Sequence, residues 1–201
     1  MREFIVWARK GPTHADFDLD DLGRQGWLGN IAQCMVNALY YSNRVRQDTV
    51  LHLVLEGPPL PPRTVRLAGA ALEALTAFDD RSVCTMVQRA LAAGVGLRGA
   101  GEIEVERGLF VGRKGLVPLA EEKAAAGPLY IMRPEGVDIR TMAAPPGGTF
   151  LLTDQLAMPP KTRRYLTRRL GARPLSLGPR TLFAAHCIVL VHNELDRWEG
   201  S

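Results

Sequence analysis

Apolar residues in the first half of this chain occur either in short unbroken runs or at helical spacing. Residues 4–8 predict a first strand, and the continuous apolar run at 50–55 is typical of a strand covered on both faces of a sheet. Between these runs, apolar residues recur every three or four positions and predict a helix over about 27–43. Prolines at 58–62 predict a turn before a further strand at 64–67.

The middle of the chain alternates predicted helices with predicted strands. Helices are expected over 69–75, 79–92 and 117–126, and strands over 129–132 and around Phe150. Pro134 and Gly136 predict a turn between the two strands. Strands that alternate with helices favour an α/β fold, with a mainly parallel sheet and helices on both of its faces. A single domain is expected over residues 1–201, because a chain of 201 residues can bury one full core.

The last quarter of the chain contains the most informative pattern. An apolar strand that runs into a polar loop at 148–155 precedes a basic helical stretch, a strand and loop at 173–179, and a helical run over 182–196. The two loops fall at the carboxyl edge of a parallel sheet, where such folds bind ligands, so the order predicts a small-molecule site made mostly of loop backbone. Gly178 and Pro179 are expected to end the second strand and open the final helix, with Pro179 in its first turn.

Composition and charge narrow the class of protein. Hydrophobic residues make up 46% of the chain and charged residues 23%, as in ordinary globular proteins. Apolar runs stay well short of the roughly 20 residues that span a bilayer, and the start of the chain lacks the apolar core of a signal peptide. Three widely spaced cysteines, Cys34, Cys84 and Cys187, favour reduced cytoplasmic thiols over disulfides or a metal cluster. The net charge of +4 permits a polyanionic partner.

Several segments, in order along the chain, resemble one known family. They are residues 1–5, 46–69, 175–179, 182–187 and 192–196. These segments are similar to the tRNA pseudouridine N1-methyltransferases, which belong to the SPOUT superfamily of S-adenosylmethionine enzymes. The resemblance covers nearly the whole chain and is weakest at 92–106.

The resemblance implies a fold, a cofactor and a reaction. The fold would be a SPOUT-type, Rossmann-like and mainly parallel sheet with a C-terminal trefoil knot, the knot and cofactor site lying at about 129–198. Topology rules alone would predict no knot, because threaded chains are very rare. The family also implies a cytoplasmic homodimer without a metal, which uses S-adenosyl-L-methionine to methylate N1 of pseudouridine at position 54 of tRNA.

Three segments would form the cofactor pocket of such an enzyme: the turn after Met132, the loop at Thr153, and residues 175–179 with Cys187 beyond them. An adenine ring needs apolar walls and main-chain hydrogen bonds, and Gly178 permits close approach of the backbone. Each leucine alone is better explained as a core residue, whereas the ordered set favours a site. The resemblance thus assigns cofactor binding to Met132, Thr153, Leu175, Ser176, Leu177, Gly178, Pro179, Leu182 and Cys187.

Asp154 is the acidic residue best placed for catalysis, because it lies at the loop end of a predicted buried strand. Methyl transfer to N1 of pseudouridine requires loss of the N1 proton, which a carboxylate can accept. An aspartate after a strand is equally typical of a turn or a helix cap, so both hypotheses stand.

Cys187 follows His186, but neighbouring residues on a helix point in different directions, and a Cys–His nucleophile pair is therefore not predicted. The resemblance implies that Cys187 packs beside the cofactor. His192, in a later turn of the same helix, is expected to have a structural, hydrogen-bonded role.

Substrate contacts are expected from Arg44 and Arg46, which flank a predicted strand edge, and from Asp154 and Asn193. A second group of basic residues consists of Lys161, Arg163, Arg164, Arg168, Arg169 and Arg173. Their helical spacing suits a phosphate-binding stripe, although a solvated helix face is the ordinary explanation of such a run.

Three positions depart from the family pattern. Gln155 stands where the family usually has a histidine, and Trp27 and Gly29 stand where archaeal members usually have an arginine and an aspartate. An amide cannot accept a proton at neutral pH, so a relay through that histidine is missing. Two alternatives to tRNA methylation follow: the same N1-methylation of free pseudouridine, its phosphate or a related C-nucleoside, or a non-catalytic RNA-binding protein on a SPOUT scaffold.

Overall fold

The computed structural model describes residues 1–22, 27–73, 79–99, 101–144 and 146–199, without the side chain of Trp27. Within these ranges the helices are α1 (Trp27–Leu39), α2 (Asp80–Ala93), α3 (Leu116–Ala126), α4 (Pro160–Arg168) and α5 (Ala184–Glu199). The strands are β1 (Arg2–Ala8), β2 (Tyr40–Tyr41), β3 (Arg44–Val45), β4 (Thr49–Leu55), β5 (Arg63–Ala68), β6 (Glu102–Glu106), β7 (Leu109–Gly112), β8 (Leu129–Asp138), β9 (Gly148–Thr153) and β10 (Arg173–Ser176).

Eight of the described strands form one mixed sheet, in the order β10-β8-β9-β1-β4-β5-β7-β6. The pairs from β10 to β4 are parallel, and the pairs from β4 to β6 are antiparallel. The predicted α/β fold with a mainly parallel sheet is confirmed. β1 lies between β9 and β4, which explains why its sequence is apolar on both faces.

Alternation along β1 sorts the core into two layers. Phe4 and Val6 belong to the cluster that packs against α1, α2 and α5. Ile5 and Trp7 point to the other face, where they pack with residues of α3 and α4 such as Leu116. Since successive side chains of a strand point to opposite faces, one seven-residue strand supports helices on both sides of the sheet.

The structure differs from the predicted elements in four places. α1 ends at Leu39 because the chain turns at Ser42, where φ is +50°, into the hairpin of β2 and β3. The expected helix at 69–75 is a turn over its described part, and residues 74–78 lie outside the described residues. The hairpin of β6 and β7 was not predicted, although glutamates alternate with Ile103 and Val105 along β6.

The fourth difference is the start of the last helix. α5 begins at Ala184, so Pro179 lies in the preceding loop and not in a first helical turn. The reason lies in the hydroxyl of Ser176, which is 3.2 Å from both the amide nitrogen and the carbonyl oxygen of Gly178. Together with a φ of +127° at Gly178, these contacts hold the segment in a non-helical turn.

A buried arginine fastens the far end of α5 to the start of β1. Arg2 is 4% exposed, and its Nη1 donates to Nδ1 of His192 at 3.1 Å and to Oδ1 of Asp196 at 2.5 Å. Its remaining guanidinium nitrogens lie 3.0 Å from Asp48 and 2.8 Å from Glu199. A buried charge is stable only when it is paired and hydrogen-bonded, and three carboxylates meet that need here.

His192 is the centre of this cluster. Its Nε2 lies 3.0 Å from the carbonyl oxygen of Ala38 in α1, which fits a neutral ring that donates from Nε2 and accepts from Arg2 at Nδ1. Its ring meets Phe4 edge-on at a centroid distance of 4.9 Å. These contacts give His192 the structural, hydrogen-bonded role that the sequence predicts.

Acid pH should unfold the protein through His192. Burial, with the charges of Arg46 and Arg2, lowers the pKa of His192 to about 4. Below about pH 6.5 the unfolded chain binds a proton at His192 that the folded chain excludes. The contribution of His192 to the free energy of unfolding is therefore complete above that pH, and roughly 3 kcal/mol is lost as the pH falls toward 4. We expect urea unfolding of His192→Gln to give a lower free energy than wild type at pH 7.5 and a shallower loss toward pH 4.5.

Some acid dependence should remain in this variant, because burial also lowers the pKa of His52. His14→Gln is the matched control, since His14 makes only an exposed hydrogen bond, to the backbone of Asp16. A His192→Gln variant with the same pH dependence as wild type would contradict the assignment.

Candidate active site

A cavity of about 640 Å³ lies at the carboxyl edge of the parallel strands, between the ends of β8 and β9 and the loop before α5. Its walls include Met132, Thr153, Leu182 and Cys187, four of the residues predicted to bind the cofactor, together with Asp154. The volume falls in the range of small-molecule pockets, roughly 300–1,000 Å³. The three predicted segments therefore meet where the strand order indicates.

A smaller cavity of about 50 Å³ adjoins the first and shares Met132, Leu182 and Cys187 with it. Leu175, Leu177 and Gly178, also predicted to bind the cofactor, line this smaller space. The two remaining predicted residues, Ser176 and Pro179, are not among the residues that line either cavity. Ser176 is buried and acts on the site only through its bonds to Gly178.

Close backbone contact between β8 and β10 shapes one wall of the site. Pro174 pairs with Ile131, but the next residue, Leu175, pairs with Val137, so residues 132–136 bulge out of the ladder. Pro134 and Gly136, predicted as a turn, lie in this bulge within β8. A Cβ atom on Gly136 would lie 2.5 Å from the backbone nitrogen of Leu175, a distance that only glycine avoids.

Asp154 lies where the large cavity meets another of about 140 Å³, and it lines both. Its Oδ1 accepts a hydrogen bond from the backbone nitrogen of Leu156 at 2.9 Å, as in a turn. Its Oδ2 is buried and has no hydrogen-bond partner among the described residues. Burial raises the pKa of Asp154, against the Leu156 hydrogen bond and the charges of Arg9 and Lys10. The turn and catalytic hypotheses are compatible, because each oxygen serves one of them.

Amide side chains surround Asp154 in the 140 Å³ cavity. Asn30, Gln33 and Asn37 reach it from α1, and Gln155 reaches it from the loop. Nδ2 of Asn30 donates to Oε1 of Gln155 at 3.2 Å, while the side chain of Asn37 makes no hydrogen bond within the described ranges. Sequence reasoning missed the three α1 residues, although polar residues three and four positions apart on an otherwise apolar helix were a usable signal.

The thiols at the site are inert at neutral pH. Burial raises the pKa of Cys187 to about 11 and, with smaller contributions from Cys187 and Asp154, that of Cys34 to about 12. A thiol must ionise to act as a nucleophile. Cys187 therefore packs as an apolar group, as expected, and Cys34 of α1 packs close to it.

The other predicted substrate contacts lie elsewhere in the chain. Arg44 and Arg46 line a separate cavity of about 750 Å³ together with Asp196, and Nη2 of Arg46 is 2.8 Å from Oδ2 of Asp196. Asn193 is exposed on the outer face of α5. A single chain therefore does not bring these three residues to Asp154. The side chain of Trp27 lies outside the described residues.

Cations and an exposed aromatic ring border the large cavity. Arg133 and Arg163 line it, and Arg133 is paired with Glu135 at 3.0 Å. Phe183, 67% exposed, lines both the large cavity and the one that contains the amides. In the described part of the chain no helix is long and apolar enough to cross a membrane, and no three His, Cys, Asp or Glu side chains are grouped to hold a metal ion.

Comparison with known proteins gives one family over nearly the whole chain. The model of a family described as "Putative SAM-dependent RNA methyltransferase" matches residues 1–199. A protein of Photobacterium profundum named "Putative pseudouridine methyltransferase" is 35% identical over 196 residues, which cover 98% of each chain. A protein of Vibrio cholerae with the same name is 35% identical over 200 residues, covering 100% of this chain and 99% of its own.

A solved structure matches the fold. The crystal structure of Archaeoglobus fulgidus Nep1 bound to S-adenosylhomocysteine superimposes with a TM-score of 0.62. The match covers 99% of this chain and 98% of that chain at 10% sequence identity, so it is evidence of a shared fold.

Proposed function

This chain belongs to the SAM-dependent RNA methyltransferase family, and from that membership we propose that it methylates N1 of pseudouridine in tRNA. SAM, S-adenosyl-L-methionine, is the cofactor of the family. The proposed transfer to N1 rests on the position of Asp154, whose carboxylate borders both the 640 Å³ cavity and the 140 Å³ cavity lined by amides.

The two cavities suit the two reactants. Apolar residues such as Met132 and Leu182 in the large cavity offer walls to an adenine ring. Amide groups both donate and accept hydrogen bonds, so Asn30, Asn37 and Gln155 suit the alternating carbonyl and N–H groups on the edge of a uracil-type base. If a base occupied the 140 Å³ cavity, the reacting nitrogen of the base would face the cofactor across Asp154.

The chain's own residues would supply positioning and a proton acceptor. Bound SAM would supply a methyl group on a cationic sulfur, and its transfer from sulfur to N1 would require the loss of the N1 proton. The carboxylate of Asp154 would accept that proton at its unpartnered Oδ2. Holding both reactants in place makes the transfer effectively unimolecular. Gln155 does not transfer the proton in this scheme; through its bond to Asn30 it orients the base-binding wall.

A free pseudouridine nucleoside or its phosphate is the second candidate substrate. The 140 Å³ cavity is lined by residues of one chain, while Arg44 and Arg46 lie away from it in that chain. Methyl transfer to the nucleoside alone would favour this candidate, and transfer to tRNA alone would exclude it. RNA binding with no transfer to either would leave a non-catalytic RNA-binding protein.

We infer further that the chain forms a cytoplasmic homodimer with a C-terminal trefoil knot, as the SPOUT resemblance implies. Phe183, directly before α5 and beside the site, is 67% exposed, and Val189 on the outer face of α5 is 45% exposed. Covering this face with a second copy would bury apolar surface. It would also offer a route by which Arg44, Arg46 or Asn193 of the partner reaches the substrate. Three free buried cysteines support a reducing compartment.

Cofactor binding is the first test. The isolated protein should bind S-adenosylmethionine and S-adenosylhomocysteine at micromolar Kd or tighter, about −8 kcal/mol at 1 μM, as measured by calorimetry. Gly178→Val should weaken binding by at least about tenfold, because a β-branched residue is strained at a φ of +127°.

Gly127→Val is the control for this variant, since Gly127 has an extended φ of 174° and open space around its Cβ position. Wild-type protein that binds neither compound would refute the assignment of the cavity. Unchanged affinity in Gly178→Val would show that the loop before α5 does not contribute to cofactor binding.

Removal of the proton acceptor is the second test. Asp154→Asn should reduce the methyl-transfer rate by roughly 100- to 10,000-fold and leave the affinity for S-adenosylhomocysteine nearly unchanged. Since burial raises the pKa of Asp154, ionised Asp154 disfavours the folded state at neutral pH, so Asp154→Asn should not lower the melting temperature. The wild-type rate should fall as the pH drops through this raised pKa.

If water or hydroxide removes the N1 proton instead, Asp154→Asn would be nearly silent and the rate would rise steadily with pH. Gln155→His is the companion variant, because it restores the family's histidine beside an intact Asp154. A rate in Gln155→His as low as in Asp154→Asn would indicate that disturbing this loop, and not loss of the carboxylate, explains the effect.

The dimer is the third test. Light scattering at micromolar concentration should give twice the 22.0 kDa mass of one chain. Val189→Asp should shift the mass toward one chain, because a carboxylate would be buried in the interface. Val95→Asp is the control, since Val95 is 71% exposed after α2. A stable wild-type monomer would overturn the proposal.

A further inference from the structure

We infer that the outer face of α4 is a docking surface for the RNA backbone that leads into the cofactor cavity. We call Lys161, Arg164 and Arg168 the α4 basic face. This inference rests on the proposed function, since it gives the RNA substrate a path to the site. It adds a surface that lies outside the cavities described above.

The helix is built to present these cations. Leu166 is fully buried against Ile5 and the rest of the second core cluster and anchors α4 to the sheet. Lys161, Arg164 and Arg168 are exposed, and their spacing of three and four residues places them on one side of the helix. From 161 to 168 the helix rises by about 10 Å, which is long enough to meet more than one backbone phosphate.

The cations of this face lack carboxylate partners. Among the described residues, none of the three side chains has a carboxylate within ion-pair distance, whereas Arg2, Arg66, Arg89 and Arg140 are all paired. Arg164 and Arg168 repel each other at a separation of four residues. An ordinary solvated face commonly alternates charges of both signs, and this face does not.

One of these charges opposes the helix dipole, since Lys161 lies in the first turn of α4, whereas Arg168 lies in the last turn, where a cation is favourable. The first turn of α4 contains Lys161 but no acidic residue, and its N-cap residue, Pro159, makes no side-chain capping bond. A cation at a helix N-terminus is unfavourable, where an acidic residue would be favourable. Helix stability therefore does not explain Lys161, whereas a role in binding an anion does.

The α4 basic face continues into the active site. Arg163, in the same helix, lines the large cavity, as do Ala157 and Met158 just before the helix. Arg133 lines the same cavity from β8. A strand with one base at Asp154 could therefore lay its backbone along α4. An acidic protein would also find cations here, but continuity with the reaction site favours the polymer that carries the substrate base.

A charge-matched pair of variants tests this inference. Arg164→Glu/Arg168→Glu reverses two charges of the face, and Arg98→Glu/Arg107→Glu reverses two exposed arginines outside it. The probe is a tRNA transcript made with pseudouridine in place of uridine, with pseudouridine nucleoside as the small substrate. Affinity for the transcript is measured by fluorescence anisotropy from 50 to 200 mM KCl, and methyl transfer to each substrate with labelled S-adenosylmethionine.

The α4 variant should bind the transcript roughly tenfold or more weakly, with the slope of log K against log salt reduced by about two. Its KM for the transcript should rise, while S-adenosylhomocysteine affinity and any transfer to the nucleoside stay at wild-type levels. The control variant should resemble wild type. Equal losses in both variants, or none in the α4 variant, would overturn the inference and leave the face to solvent or an acidic protein. Wild-type protein that methylates neither substrate would refute the proposed function, while the anisotropy comparison would still decide this inference.

Discussion

The buried ion cluster around Arg2 sets the position of α5, and the position of α5 sets the site. Arg2 begins the central strand and holds His192, Asp196 and Glu199 from the last turns of the helix. The opposite end of the same helix carries Cys187, which lines the 640 Å³ cavity. Arg2 is buried, so the loss of a carboxylate partner would leave its charge less compensated. Because the side chains of Asp48, Asp196 and Glu199 are 43%, 42% and 68% exposed, water offsets part of that cost. A helix fastened at one end in this way can hold a pocket wall at the other without a covalent link.

The walls of the pocket are mainly features of the backbone. Residues 132–136 bulge from β8, and Gly136 lies against the backbone of Leu175 where no side chain would fit. The turn at Gly178 is held by the hydroxyl of Ser176. Because main-chain atoms are held by the sheet and by these bonds, they can present fixed donors and acceptors to a cofactor. The side chains that vary around them, such as Gln155, are then free to change without loss of the fold.

The proposed chemistry uses polar and charged groups that have no hydrogen-bond or ion-pair partner among the described residues. Most buried polar groups of a folded protein are hydrogen-bonded, yet Oδ2 of Asp154 is buried without a partner. It stands between a pocket with apolar walls and one lined by amides. On the outside, the cations of α4 lack carboxylate partners within the described residues. Groups without a partner in the described part of the chain, such as this buried oxygen and these exposed cations, are places where a substrate can supply what the protein does not.

Local pattern in the sequence determined the strands of the parallel core, because alternation and apolar runs report which face each residue occupies, but it missed the hairpins β2–β3 and β6–β7. It also predicted that the three segments assigned to the cofactor by the family resemblance lie together, since the carboxyl ends of parallel strands meet at one edge. Only the tertiary structure decided that α1 brings Asn30 to Gln155, 125 positions later in the chain, and that Arg46 pairs with Asp196 while Arg164 lacks a carboxylate partner among the described residues. The reason is physical: periodicity is a property of neighbouring residues, whereas pairing, burial and pKa depend on atoms that packing brings together from distant segments.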